Sequence, residues 1–262
     1  MMKRMRWGWI VGLLLVAGLA FGAWSRTQYV VPVLMYHEVD PRPIGASRLI
    51  VSPESFARQM AWLGHRRPGG VVVVPLPEVV TAFHTGRRLP SRAIVLTFDD
   101  AFENFYTQAW PILRERGFPA TLFVVTDWIG RPGYMSWDQI KAVDRSGVVI
   151  GSHSVTHPWL PALDEETLRR EVVESKRVLE EGLGHPVEMF CYPGGARDER
   201  VKRAVQTAGY RGACATNPGP GSSDRDPYAI KRVRISKSAD SLATFWFESS
   251  GYYTWVKEHR HK

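Results

Sequence analysis

The sequence predicts an α/β fold of parallel strands, closed into a barrel or spread as a large open sheet. Three observations carry this expectation. Short β-branched runs alternate with amphipathic stretches along the body of the chain, the pattern of repeated βα units. The units are too many for a small sheet. Several chemically distinctive residues also stand directly behind apolar runs, where barrels of this kind carry their active sites.

The 262 residues suit one large domain, and 44% hydrophobic with 23% charged residues is ordinary for a chain that buries a sizeable core. The first element is not part of that core. Lys3, Arg4 and Arg6 precede an uncharged run from Trp7 to Trp24. Its 18 residues are just long enough to cross a bilayer as a helix, with Trp7, Trp9 and Trp24 at the interfacial ends. The basic flank predicts a cytoplasmic N-terminus, with everything after Ser25 outside. Ala20 and Gly22 offer a weak small-x-small site, so a cleaved signal peptide is the alternative, and both readings export the rest of the chain. Residues 26–30 read as a linker, 31–248 as the folded domain and 249–262 as a tail.

Strands are expected at 31–35, 71–74, 93–98, 120–125, 148–150, 187–192, 212–216 and 230–235. Helices are expected at 53–63, 76–85, 104–116, 137–146, 164–182, 199–208 and 241–248. In the fifth of these, Leu168, Val172, Val173, Lys176 and Leu179 recur at helical intervals, with Asp164 as start signal and Gly182 at the end. Cys191 and Cys214 make neither a disulfide framework nor a CxxC site, and two free buried thiols are expected over a bridge. The net charge of +8 favours anionic surfaces, but no basic stripe interleaved with aromatics appears, which argues against nucleic acid.

Four segments carry chemistry. The strand at 93–98 runs directly into Asp99 and Asp100, two carboxylates that can take separate roles, one on a metal and one accepting a proton. His153 and His157 follow another strand at a spacing that converges on one metal if the turn is helical. One carboxylate and two imidazoles leave coordination positions open, as catalytic zinc requires. Tyr192, Pro193, Gly194 and Gly195 form a turn behind a third strand, where backbone N–H groups can approach an oxyanion. His37 ends the first strand and is a candidate general acid.

Together these segments resemble the polysaccharide deacetylases, the carbohydrate esterases with a NodB-type domain. Thr97-Phe-Asp-Asp100 matches the first family motif and His153-Ser-Val-Thr-His157 the second, in the right order and separation. The resemblance implies a distorted (β/α) barrel with fewer than eight strands. It implies Asp99 as general base and Asp100, His153 and His157 as ligands of a divalent metal, usually zinc. The Tyr36-His37 pair resembles a subgroup that includes poly-β-1,6-N-acetylglucosamine deacetylases, which implies His37 as general acid. Two positions depart from the family pattern. Cys191 stands where the third motif often carries a base-orienting Arg, and Gly194 where it carries an aromatic; Arg232 or Arg234 is the candidate replacement for the guanidinium. The Leu-x-His motif near the C-terminal end is also missing, consistent with His37 supplying the acid.

The expected activity is hydrolysis of N-acetyl groups on an N-acetylglucosamine polymer outside the cytoplasm, at the membrane or secreted. A metal amidohydrolase of a small cyclic amide and a non-catalytic wall-binding protein on the same scaffold are the alternatives. Trp128, Trp137 and Trp159 are candidates for stacking on sugar rings or for core packing.

Overall fold

A computed structural model describes residues 16–18, 20, 22, 29–41, 49–65, 70–216 and 225–259. The expected anchor at 1–25 therefore falls mostly outside the described residues, although positions 16–18, 20 and 22 are helical. Among the described residues no helix is long and apolar enough to cross a membrane.

The strands are β1 (Val33–Tyr36), β2 (Glu38–Val39), β3 (Ile50–Val51), β4 (Val72–Val73), β5 (Ala93–Phe98), β6 (Thr121–Val124), β7 (Val149–Ser152), β8 (Met189–Cys191), β9 (Gly212–Cys214) and β10 (Val233–Arg234). Among the described residues these strands pair only in parallel, and the main sheet runs β10-β1-β5-β6-β7-β8-β9, with β4 added to the first two residues of β5. Its edges meet through one short segment. Ile230 bridges to Cys214 at the end of β9, and three residues later Val233 pairs with Leu34 of β1. The sheet thus curls into a barrel of the expected NodB type.

The helices are α1 (Pro53–Leu63), α2 (Leu76–Thr85), α3 (Trp110–Arg116), α4 (Trp137–Arg145), α5 (Glu165–Leu183), α6 (Glu199–Thr207), α7 (Leu242–Glu248) and α8 (Tyr253–His259). Strand alternation sorts the core into two layers. Leu34, Tyr36, Leu96, Phe98 and Leu122 face the helices, whereas Val33, Val95, Phe123, Met189, Cys191 and Cys214 fill the barrel.

Some expectations need correction. The helix at 104–116 begins as a π-helical turn, Phe105–Ala109, before α3. Pro111 has no N–H to give and its ring crowds the preceding turn, so the helix widens there. Gly182 does not end α5. It lies inside it, because a Cβ there would stand 2.3 Å from the Trp137 ring, and Gly184 at φ 81° makes the C-cap. Asp164 caps the start as expected, accepting from the Thr167 N–H at 2.8 Å. Trp137 is accordingly a packing residue. The tail folds onto the barrel as α8, with Thr254 buried and Glu258 paired to Lys231 at 2.7 Å. Cys191 and Cys214 are in register on β8 and β9 and are free, buried thiols.

Candidate active site

The same alternation that builds the barrel builds the site. On β1 the inward positions are Val33 and Met35, and the next is His37; on β5 they are Ala93, Val95 and Thr97, and the next is Asp99. On β7 the inward sequence ends at His153, and on β8 at Cys191. Four side chains from four strands therefore converge at the C-terminal mouth without special geometry.

Asp99 is buried, 2% exposed. Its two carboxylate oxygens accept from the two terminal nitrogens of Arg232, each at 2.7 Å. Burial alone would raise its pKa, but the Arg232 charge and hydrogen bonds overcome this and hold it well below the usual carboxylate range. Arg232 is itself fixed. It donates through Nε to Ala215 O at 3.1 Å and through Nη1 to Thr97 Oγ1 at 3.2 Å. Its Nη2 also lies 3.0 Å from Cys191 Sγ, and the guanidinium sits over the Phe123 ring. Burial pushes the Cys191 thiol up, so it is a neutral neighbour. Of the two arginines expected from the sequence, Arg232 reaches Asp99. Arg234 is exposed near His37, where its charge opposes imidazole protonation.

Asp100 should face away from Asp99 if the strand continued. Instead Asp100 and Ala101 adopt φ 73° and φ 53°, a left-handed pair that swings the carboxylate back over the mouth. There Oδ1 lies 3.7 Å from His153 Nε2 and 3.8 Å from His157 Nε2. It is buried and has no hydrogen-bond partner among the described residues. Burial, and then the charge of Asp99, push its pKa up to about 7.

His153 donates from Nδ1 to Cys191 O at 2.7 Å, which leaves the Nε2 lone pair facing Asp100. Burial pushes its pKa down to about 3, so the ring is neutral. His157 is half-buried and stacks on Trp128, ring centroids 5.4 Å apart. The turn between the histidines is not helical as expected, since Ser154 and His157 both have positive φ. A carboxylate that the sequence reading did not single out holds it. Glu171 of α5, 2% exposed, accepts from Val155 N and Thr156 N at 2.9 Å each and from Thr156 Oγ1 at 2.8 Å. Its signal was a Glu on the buried stripe of α5, one position before Val172.

Asp100, His153 and His157 offer three donor atoms within 4.8 Å of one another. A buried carboxylate oxygen with no donor, aimed at by two neutral imidazole nitrogens, is a set that fits a divalent cation. Asp99, His153 and Cys191 also lie within that distance, but Arg232 Nη2 already bonds Asp99 Oδ2 and Cys191 Sγ, two of the three donors of that group.

His37 Nε2 lies 3.9 Å from Asp99 Oδ2, and its buried Nδ1 has no partner among the described residues. Burial lowers its pKa, outweighing the opposite pull of Asp99. The four residues of the third motif separate. Tyr192 turns outward, its hydroxyl donating to Tyr228 O at 3.0 Å, so only its backbone borders the site. The Tyr192 and Gly195 N–H groups are committed to Cys214 O and Tyr192 O, and Pro193 has none. Gly194 is the exposed member, at φ 60°, with the Trp159 ring 3.4 Å from where its Cβ would be. Trp159 itself is 62% exposed, two residues after His157.

A sequence profile described as polysaccharide deacetylase matches residues 86–213. The chain belongs to the polysaccharide deacetylase family. As a family member it is a hydrolase of carbon–nitrogen bonds other than peptide bonds. The Bacillus subtilis protein YxkH, whose description is that of a polysaccharide deacetylase, is 28% identical over 84% of this chain and 77% of its own length. The poly-β-1,6-N-acetyl-D-glucosamine N-deacetylase of Escherichia coli is 29% identical over 54% of this chain but only 22% of that protein. The deacetylase PplD of Streptococcus pyogenes, solved with acetate, superposes with a TM-score of 0.74 at 25% identity, covering 82% of this chain and 97% of that one. His37 and Arg232 both lie outside the residues the profile matches.

Proposed function

We propose that the protein is a metal-dependent deacetylase that removes N-acetyl groups from an N-acetylglucosamine polymer and releases acetate. The observation that carries this reading is the pairing of two adjacent carboxylates in opposite states. Asp99 accepts two hydrogen bonds from Arg232 and is held ionised, while Asp100 turns a buried Oδ1, without a hydrogen-bond partner among the described residues, towards two imidazole nitrogens.

Asp100, His153 and His157 would hold the cation, with zinc the best match to one carboxylate and two imidazoles. When bound, such an ion polarises an acyl oxygen and acidifies a water. The remaining steps fall to this chain's own groups. Asp99, oriented by Arg232, accepts the proton of the attacking water. The N–H of Gly194, the exposed residue of this turn, would donate to the acyl oxyanion. His37, reached by the Asp99 carboxylate at 3.9 Å, would protonate the departing nitrogen from its imidazolium form, which must first take up a proton from solvent; its lowered pKa makes that form a stronger acid and a less populated one. Trp159 presents an open ring beside this centre, suited to the apolar face of a sugar.

Two substitutions within the third motif motivated a non-catalytic reading. Arg232 supplies from the barrel's closing segment the guanidinium that Cys191 lacks. The Trp159 ring covers Gly194, where an aromatic would otherwise stand. The β-1,6-linked polymer is the favoured substrate, because His37 has the place that the resemblance gives it in that subgroup and the E. coli relative is named for that polymer. The run at 7–24 would tether the enzyme at the outer face of the membrane, unless cleaved.

The test is acetate release from β-1,4- and β-1,6-linked N-acetylglucosamine oligomers, as purified, after chelation and after zinc is restored. Release that disappears with chelator and returns with zinc is expected. No release from either oligomer by protein carrying one metal per chain would overturn the reading.

A further inference from the structure

The end of the barrel opposite the active site is also exposed, and its composition is distinctive. An open cleft of about 1260 Å³ crosses it, larger than the roughly 300–1,000 Å³ of small-molecule pockets. It lies at the N-terminal ends of the strands, between the residues entering β1 and β5 and the C-terminal ends of α1, α2 and α7. Arg87, Arg88 and Arg92 line it together with Trp246, Phe247 and Tyr252. Among the described residues no aspartate or glutamate lines it. Glu78 lies 3.9 Å from the well-exposed Arg87 and does not line the cleft. Trp246 is 57% exposed, and Leu242, Phe247 and Tyr252 are exposed beside it. Half of the eight large apolar side chains exposed among the described residues are therefore on α7 and the turn that follows it.

The chain enters the barrel at this place. Val30 N–H donates to Gly251 O at 2.9 Å, the Tyr29 ring meets Tyr252 edge-on at 5.9 Å, and Tyr29 Oη donates to Ala93 O at 3.3 Å. Tyr29 packs so closely on Gly251 that a Cβ there would stand 2.3 Å from its ring. In the sequence, the apolar run ends at Trp24, shortly before this latch. Five residue steps separate Trp24 from Tyr29, about 17 Å at full extension. The six residues of β5 place the catalytic mouth roughly 20 Å farther on.

We infer that this N-terminal face of the barrel docks on an anionic phospholipid surface, with Arg88 and Arg92 at the headgroup phosphates and Trp246 and Tyr252 at the interface. Three independent features fit that occupant: a one-signed charge, aromatic side chains of the kind that favour the headgroup layer, and a connection to the apolar run too short to hold the face away from a membrane. The docked enzyme turns its mouth outward, away from the lipid. The inference rests in part on the tether proposed above for the run at 7–24, and not on the reaction.

The test uses the full chain in nanodiscs of phosphatidylcholine alone or mixed with phosphatidylglycerol, read by hydrogen–deuterium exchange. Residues 86–92 and 246–252 are expected to exchange several-fold more slowly in the anionic discs, and the loops at 99–104 and 153–160 equally in both. High salt should remove the protection. The Arg88→Glu, Arg92→Glu double variant should lose at least about tenfold in binding to anionic vesicles, since each basic residue at such a surface contributes roughly fivefold. Trp246→Ala, an independent variant that leaves the charges in place, should weaken binding to both vesicle types. Acetate release from a soluble oligomer should be unchanged in both variants. Equal exchange in the two discs would overturn the inference. So would equal protection of the full chain in detergent without lipid, which would mean that another part of the chain fills the cleft. Equal protection by an anionic wall polymer without lipid would likewise overturn it.

Discussion

The inner floor of the site and its rim are built from neighbouring residues by opposite rules. On the floor, Asp99, Arg232, Cys191 and Thr97 satisfy one another, and the carboxylate is ionised because a buried guanidinium grips both oxygens. On the rim, Asp100 Oδ1 lies 3.7 and 3.8 Å from the Nε2 atoms of His153 and His157 and accepts no hydrogen bond among the described residues, and the carboxylate is pushed towards neutrality. A complete group of hydrogen bonds can hold a charge in place during a reaction. An incomplete one is stable only when something joins it. The difference separates a positioned base from a ligand set within two consecutive residues.

The sharpest way to break this contrast is to remove one member from each side. His153→Ala should lose both metal and activity, whereas Asp99→Asn should retain metal by elemental analysis while losing about 10²–10⁴-fold in turnover. An Asp99→Asn enzyme with a near-normal rate would end the assignment. A second large effect concerns folding. Arg232→Met leaves Asp99 buried and uncompensated, which should cost about 3–5 kcal/mol in denaturant unfolding. The stability from the depressed Asp99 pKa is present above the usual carboxylate range and is lost as pH falls through the lower folded value.

The rim predicts the reverse sign. In metal-free protein the Asp100 pKa is raised from 3.8 to about 7, so its contribution to stability is lost as pH rises between those values. Asp100→Asn should therefore stabilise the metal-free protein at pH 8 by about 2–4 kcal/mol and change it little near pH 4, at roughly 1.4 kcal/mol per unit. Added zinc should reverse the order, stabilising only the wild type. The smallest expected effect is at Trp159. Trp159→Ala should raise KM for the oligomer several-fold, about 1 kcal/mol of stacking, with zinc affinity and hydrolysis of a small acetate ester unchanged.

Much of this was legible in the sequence, for reasons that also explain what was not. Asp99, Asp100, His153 and His157 could be placed because each stands just behind a strong apolar strand, and strand ends in such barrels meet at one mouth. The helices Pro53–Leu63 and Leu76–Thr85 could be bounded to the residue, each opening with a proline in its first turn and followed by glycine. The two-residue strands β2 and β3 could not, since two residues have no period. Arg232 and Arg234 share strand parity, and only the closure of the barrel, 133 positions from Asp99, decides between them. The left-handed turn at Asp100 and Ala101 had no glycine to announce it, so the direction of the carboxylate could not be read. Glu171 could not be singled out, because its partners are two backbone amides and one hydroxyl of a loop that no sequence pattern ties to it.

The origin of that guanidinium has a consequence for how such a site can change over generations. Cys191 and Arg232 touch, so the fitness of either depends on the other. Placing Arg at 191 while Arg232 remains would force two cations onto one carboxylate in a space filled by Phe123. Losing Arg232 first would strand a buried anion. A lineage can cross between the two arrangements only by paired substitution or through a weakened intermediate, and reciprocal covariation between these positions is its expected mark.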